Sequence, residues 1–210
     1  MDNMGCDMKK MEESESMIKS VCNFNGRYLS PVSQGHLSKL KGWRNSQMDI
    51  LRQWKFLTDY NQEKWFQQIS EDDTQIILEI MVPAEENNMQ FIGYCGIVGM
   101  DFINRRGEIS FLVDPVRAQD KKLYREDFLS TLYMLCQYGF EELNSHKLFT
   151  ETFAFRLYHI KILEEFGFHL DGTLREHQFI KGQYHDSLIH SVLCHEWIKI
   201  KEEMKNVLEK

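Results

Sequence analysis

No stretch of the 210 residues reaches eighteen consecutive apolar side chains, so no segment reads as a membrane-crossing helix. Basic charge is not in excess: 25 Lys and Arg stand against 32 Asp and Glu, a formal charge of −7, which argues against a nucleic-acid surface. Cysteine is scarce and scattered. Cys6, Cys22, Cys95, Cys136 and Cys194 form no C-x-x-C pair and no metal-ligand spacing, which fits reduced thiols, and Cys95, Cys136 and Cys194 sit in apolar segments as small core residues. His185, His190 and His195 recur every five residues in or beside a strand, which alternates their faces and cannot gather them on one ion, so no metal site is expected. The first twenty residues are acidic and Met-rich without an apolar core, unlike a secretory signal, and a cytoplasmic protein is the expectation.

What is present suits one folded domain. Apolar residues make up 42% of the chain, with 14 Phe, 8 Tyr and 4 Trp, enough to bury a substantial core. Residues 1–24 show no period and are expected to be a disordered tail; 25–197 form the domain. A C-terminal amphipathic helix, 198–210 with its start near Glu196, carries Ile200, Met204 and Val207-Leu208 on one face, either docking on its own domain or forming a homodimer contact. Arg27-Tyr28-Leu29, closed by Pro31, reads as a short strand. Leu37, Leu40 and Trp43 then recur at helical spacing, and Thr58 offers an N-cap for a helix whose Trp65 and Phe66 face a core. Gln75–Met81 and Phe91–Met100 read as strands. Gly93, Gly96 and Gly99 cannot share a face at period two and mark bulges or close backbone approach. Gly107–Asp114 is a third, central strand, and Tyr124, Phe128, Leu132, Leu135, Gly139 and Leu143 trace a helix stripe.

The stretch from Glu164 to Trp197 organises the remainder. Leu157, Ile160, Leu163 and Phe166 form a helix face stopped by Gly167. A tight turn at Asp171-Gly172 follows, then Glu176–Ile180 and Ser187–His195 face each other as a hairpin across Lys181-Gly182-Gln183. Gly167-Phe168, Asp171-Gly172, Leu174-Arg175, Asp186 and Glu196-Trp197, at this spacing, resemble the C-terminal half of the GNAT acyltransferases. Within them the chain is most similar to the branch of ribosomal-protein N-acetyltransferases and acetyltransferases of nucleotide-linked amino sugars, over about Arg27–Trp197.

That resemblance implies an α/β fold with a central mixed, mostly antiparallel sheet flanked by helices, and acetyl-CoA as acyl donor. It implies that the pantetheine arm pairs with backbone groups at Phe111, Leu112 and Val113, and that Trp43-Arg44-Asn45 borders the acceptor pocket. The family's glycine-rich diphosphate loop corresponds here to Arg117, Ala118, Gln119, Asp120, Lys121, Lys122 and Leu123, with neither glycine kept. Arg117, Lys121 and Lys122 could hold the diphosphate as point charges, or be solvated residues at a helix start, while Asp120 would place a negative charge beside it. Arg156 stands where the branch often has a cofactor-contacting Asn, and Leu163 where many members carry a tyrosine acid, a role Tyr158 cannot simply take over.

Amine acetylation needs a neutral amine and a polarised thioester. Glu108, acting through a water, and His177, as a direct base, are the catalytic candidates; the alternatives are a Glu108 pair with Arg106 and a strand-face His177. Arg44 either has an ion-pair partner or contacts acceptor. Arg175 and Asp186 either pair across the hairpin or contact substrate. The expected activity is acetyl-CoA-dependent N-acetylation of a small-molecule primary amine, an amino sugar of a nucleotide-linked sugar. The alternatives are a protein N-terminus as acceptor and a non-catalytic binding module.

Overall fold

A computed structural model describes residues 20–208. An eight-stranded sheet runs through the molecule in the order β1 (Cys22–Phe24), β2 (Arg27–Pro31), β3 (Ile76–Pro83), β4 (Met89–Asp101), β5 (Arg106–Val113), β6 (Lys147–Phe153), β8 (Gln183–Leu193), β7 (His169–Ile180). Every neighbouring pair is antiparallel except β5 and β6. The expected mixed, mostly antiparallel α/β architecture is therefore present.

Among the described residues five helices cover the two faces: α1 (Leu37–Ser46), α2 (Asp59–Glu71), α3 (Lys121–Gln137), α4 (Leu157–Phe166) and α5 (Cys194–Leu208). On one face Phe128, Leu132 and Leu135 of α3, Leu163 and Phe166 of α4, and Trp197 and Ile200 of α5 close over Ile80, Ile97 and Leu148 of the sheet. On the other, Leu40 and Trp43 of α1 pack with Met81, Phe91, Tyr94 and Leu112. Trp65 of α2 meets Tyr94 edge-on at 6.1 Å, while Phe66 stays half-buried rather than in the core.

Local signals explain most boundaries. Thr58 accepts from Asn61 N–H while the Asn61 side chain accepts from Thr58 N–H, a reciprocal cap that starts α2. Gly167, at φ 113°, ends α4, and a Cβ there would lie 2.8 Å from Ile200 of α5, so the position needs glycine twice over. Gly93 and Gly96 do mark close approach, with an added Cβ 2.2 Å from Leu112 O and 2.1 Å from Ile76 O. Gly99, at φ 58°, sits where the β4–β5 register slips.

Three expectations change. Cys22–Phe24, assigned to the tail, forms β1 behind an Asn25-Gly26 turn with both residues at positive φ, and Val21 N–H donates to Leu29 O at 2.7 Å; residues 1–19 of the expected tail lie outside the described residues. Asp171-Gly172 is no turn: β7 runs through it, with a register slip between Leu170 and Gly172. α5 begins at Cys194, cutting short the strand expected to reach His195, and it docks Trp197, Ile200 and Met204 on the chain's own core.

Candidate functional site

β5 and β6 pair only where Arg106, Gly107 and Glu108 face Lys147, Leu148 and Phe149. Past that point β6 stays fully paired with β8 and the two strands separate, leaving a cleft between them. Ser110 and Phe111 of β5 line it opposite Thr150, Glu151, Thr152 and Phe153 of β6, with Phe128 and His159 beneath and Ile50, Leu51 and Arg52 above. Asp114 N–H donates to Ile92 O at 2.8 Å, and the β4–β5 register runs unbroken from Val113 to Glu108. Alternation then sends the main-chain groups of Leu112 toward β4 and those of Ile109, Phe111 and Val113 into the cleft. So Leu112 cannot offer backbone to a ligand as expected, and the Val113 carbonyl already accepts from Gln47 Nε2 at 2.9 Å. The bridge between Glu108 and Phe149 that ends the β5–β6 ladder uses the Ile109 N–H, so Ile109 keeps its carbonyl and Phe111 both main-chain groups for a peptide-like arm.

At the paired end sits a carboxylate cluster. The Arg52 guanidinium lies between Glu108 and Glu151, its Nη2 on Glu108 and its Nη1 donating to Glu151 Oε2 at 2.9 Å. Burial pushes the Glu108 carboxyl above the usual carboxylate range, and Arg52 partly offsets this. Glu108 therefore pairs with Arg52 and not with Arg106, which lies 3.4 Å from Asp101. His177 Nε2 lies 3.7 Å from Glu151 Oε1. A β-bulge aims it there: Arg175, Glu176 and His177 together oppose the single residue Asp186. Asp186 Oδ1 accepts from Glu176 N–H at 2.7 Å, with Glu176 at φ 50°. Asp186 thus holds the bulge instead of pairing with Arg175, whose side chain is exposed.

The cleft opens on two sides. Toward α1, Arg44, Arg52, Gln53, Trp54, Lys55 and Tyr94 line a cavity of about 360 Å³. Arg44 has no ion pair among the described residues; its guanidinium carbon stands 5.5 Å from the centre of the Trp65 ring, and its Nε is buried without a partner. Toward the helix starts, Gln47, Ala118, Tyr124, Phe155, Arg156 and His159 line a second, more apolar cavity. Here Tyr124 Oη and His159 Nδ1 are 2.7 Å apart, and Arg156 Nη2 donates to Tyr124 Oη at 3.1 Å. Burial raises the Tyr124 hydroxyl and drives the His159 imidazole well below its usual value, helped by the charge of Arg156, so both are neutral. Leu163 is wholly buried, and Tyr158 Oη donates to Lys121 O at 2.8 Å.

The loop after β5 differs from expectation in its cations. Arg117 is no free point charge: Nε and Nη2 both bind Asp127, which is itself wholly buried and also takes Arg27 Nε at 3.0 Å. Asp120 is the N-cap of α3, its Oδ1 accepting from Lys122 and Leu123 N–H at 2.9 and 3.0 Å. Gln119, Lys121 and Lys122 are exposed and Leu123 is half-buried.

Of the expected residues, the structure gathers Glu108, Phe111 and Arg156 around one cleft, with Arg44 and Ala118 at its two mouths. His177 and Arg175 both stand outside the lining of all three, His177 reaching the site only through Glu151. Sequence reading missed Arg52, Glu151, Tyr124 as a polar group, and His159. Glu151 had a signal in the alternation of Lys147–Phe153, but its nearness to Glu108 depends on the pairing of Glu108 with Phe149, distant in sequence.

Residues 29–189 match the family "Acetyltransferase (GNAT) domain". No curated protein sequence gave a significant match. Among solved structures, spermidine N-acetyltransferase from Vibrio cholerae in complex with CoA and spermine superposes with a TM-score of 0.72 at 21% identity, covering 83% of this chain and 99% of that one. A chimera of that enzyme reaches 0.70 at 21% identity, covering 82% and 98%. A further acetyltransferase structure reaches 0.68 at 15% identity, covering 88% and 91%. At such identities the likeness is one of fold.

Proposed function

The chain belongs to the GNAT acetyltransferase family, and from that premise we propose that it moves an acetyl group from acetyl-CoA to the primary amine of a small molecule carrying an anionic tail, such as a nucleotide-linked amino sugar. The observation that carries this reading is the sign of charge along the cleft. Carboxylates Glu108 and Glu151 lie where the strands meet, whereas the cavity toward α1 is lined by Arg44, Arg52 and Lys55 without an acidic side chain among the described residues. An amine entering there meets the carboxylates, while phosphates behind it meet the cations.

In this reading the amine reaches Glu108 as Arg52 gives way, and loses its proton to the carboxylate directly or through a water. His177 is the second candidate base, beside Glu151. The free amine attacks the thioester carbon, the C–N bond forms, the C–S bond breaks, and the thiol leaves with one proton. The pantetheine arm lies against Ile109 and Phe111, with Ala118 and Arg156 flanking it. Lys121 and Lys122 remain as the cations toward the outer end, and the neutral Tyr124–His159 pair can donate to the departing sulfur.

A second reading has its own support. The Vibrio cholerae neighbour is a spermidine acetyltransferase bound to spermine, and two carboxylates beside one guanidinium would also receive a polyamine that displaces Arg52. An acceptor panel separates the readings: nucleotide-linked amino sugars, spermidine and spermine, and a peptide with a free N-terminus. The first reading expects turnover with amino sugars and a KM that rises about tenfold in Arg44→Ala, the effect of removing one charge-assisted hydrogen bond. Turnover confined to polyamines, with KM unmoved by Arg44→Ala, selects the second; turnover with peptides alone sinks both.

A further inference from the structure

We propose that the site recognises its acyl donor by the acyl-pantetheine arm, and that the adenosine diphosphate end contributes little, so that acyl-pantetheine thioesters without it are donors of nearly equal competence. The proposal deepens the acetyltransferase reading and rests on it.

A diphosphate is held by backbone N–H groups that have no other partner, by a helix N-terminus, and by cations free to turn toward it. Here most of these are already engaged. Val116 N–H donates to Asp114 Oδ1 at 2.8 Å, Ala118 N–H to Asp114 O at 2.9 Å, Gln119 N–H to Val116 O at 3.2 Å and Asp120 N–H to Arg117 O at 3.2 Å. Asp120 then takes Lys122 and Leu123 N–H with its side chain and Tyr124 N–H with its carbonyl at 2.9 Å. From Val116 to Tyr124 only Arg117 and Lys121 keep an N–H without a partner among the described residues. The Asp120 carboxylate also sets a negative charge at the positive end of α3, the place a phosphate would want.

Of the four nearby cations, two are held elsewhere and two stand in open water. Arg117 is fixed on buried Asp127, and Arg125 lies in a two-pronged pair with Glu165. Lys121 and Lys122 are exposed, with Lys121 Nζ 5.6 Å from the centre of the Tyr158 ring. A charge pair in open water is worth only about 0.2–1 kcal/mol and weakens with salt.

The other half of the donor meets the opposite situation. The splayed strands leave the Ile109 carbonyl and both main-chain groups of Phe111 unpaired, a donor and two acceptors for the amides of a pantetheine arm. The adjoining cavity offers Ile50, Ala118, Phe155 and Leu157 to its methylenes and gem-dimethyl group. Binding energy is thus concentrated within reach of the thioester.

The test compares acetyl-CoA, acetyl-4′-phosphopantetheine and acetyl-pantetheine with one accepted amine, measuring kcat/KM in wild type and in Asp120→Gly. Glycine at an N-cap disturbs the helix by only a few tenths of a kcal/mol while freeing the Lys122 and Leu123 N–H groups. The expected result is a spread of less than tenfold among the three donors in wild type. In the variant, kcat/KM should rise at least fivefold for acetyl-CoA with acetyl-pantetheine unchanged. A tenfold or larger preference of wild type for acetyl-CoA overturns the proposal while leaving the acetyltransferase reading intact. An equal response of both donors to Asp120→Gly, or none, overturns the part assigned to Asp120. If no thioester is turned over and none raises the melting temperature, the acetyltransferase reading itself falls, and the proposal with it.

Discussion

Glu108 and His159 are both moved by burial, with opposite consequences. As the proposed base Glu108 must be ionised to take a proton, and burial raises its carboxyl. Activity should therefore fall on acidification with an inflection above about 4.3, the ordinary glutamate value, and Glu108→Gln should lower kcat by on the order of 10²–10⁴ at neutral pH. A kcat within threefold of wild type would remove Glu108 from the chemistry. For His159 the shift is downward, so between its folded value and about 6.5 the unfolded chain binds the extra proton. Stability then increases with pH across that window and is lost as pH falls below about 6.5. Urea unfolding at several pH values from 5 to 7.5 should show this slope, and His159→Phe should flatten it, though His190, also lowered by burial, adds a part of its own. Glu108 could be picked out in the sequence because it opens an apolar strand. Arg52 and Glu151 could not, since what makes them a site is the register of two strands and the path of a loop, neither of which has a local signature.

At the scale of the element, the bulge in β7 carries the most. Its three residues are held out by one carboxylate, Asp186, accepting the Glu176 N–H. Asp186→Ala should let the strand relax toward regular pairing, swinging His177 away from Glu151. The expected signature is a loss of about 1 kcal/mol in stability together with a fall in kcat/KM that Asp186→Asn, which still offers an acceptor oxygen, partly restores. Equal falls in both variants would assign the effect to charge instead of geometry. Sequence reading found this hairpin and its Lys181-Gly182 turn, both residues at positive φ, but began the second strand at Ser187, whereas β8 begins at Gln183 and residues 183–185 are the ones that face Gln178–Ile180. It took the acidic residue for a partner of Arg175, because alternation counted through a bulge puts the wrong side chains opposite one another. The helices were more legible than the strands. Thr58, Leu37-Leu40-Trp43 and Gly167 each act within one or two turns, whereas β1 was hidden beside a charged tail although Asn25-Gly26 is a strong hairpin signal.

For the whole molecule, the family and its layered sheet could be recognised from one C-terminal stretch, because the spacing of Gly167-Phe168, Asp186 and Trp197 is set by how α4, the β7–β8 hairpin and α5 pack as a unit. The loop after β5 could be seen to lack glycines, but not what replaces them, since the Arg27–Asp127–Arg117 cluster joins residues 100 apart. If the cleft loads acetyl-CoA, the ligand should raise the melting temperature; at about 100 times its dissociation constant the gain is roughly 2.7 kcal/mol. No shift at millimolar concentration would contradict the donor assignment. The narrow junction of β5 and β6 also has a kinetic side. The amide proton of Phe111 faces the gap in the ladder and should swap for deuterium quickly in the free protein, while those of Ile109, bonded to β6, and of Ser110 and Leu112, bonded to β4, swap slowly. An arm lying in the gap would complete the sheet, so that each catalytic cycle would print itself on that one amide as a seam that closes and reopens.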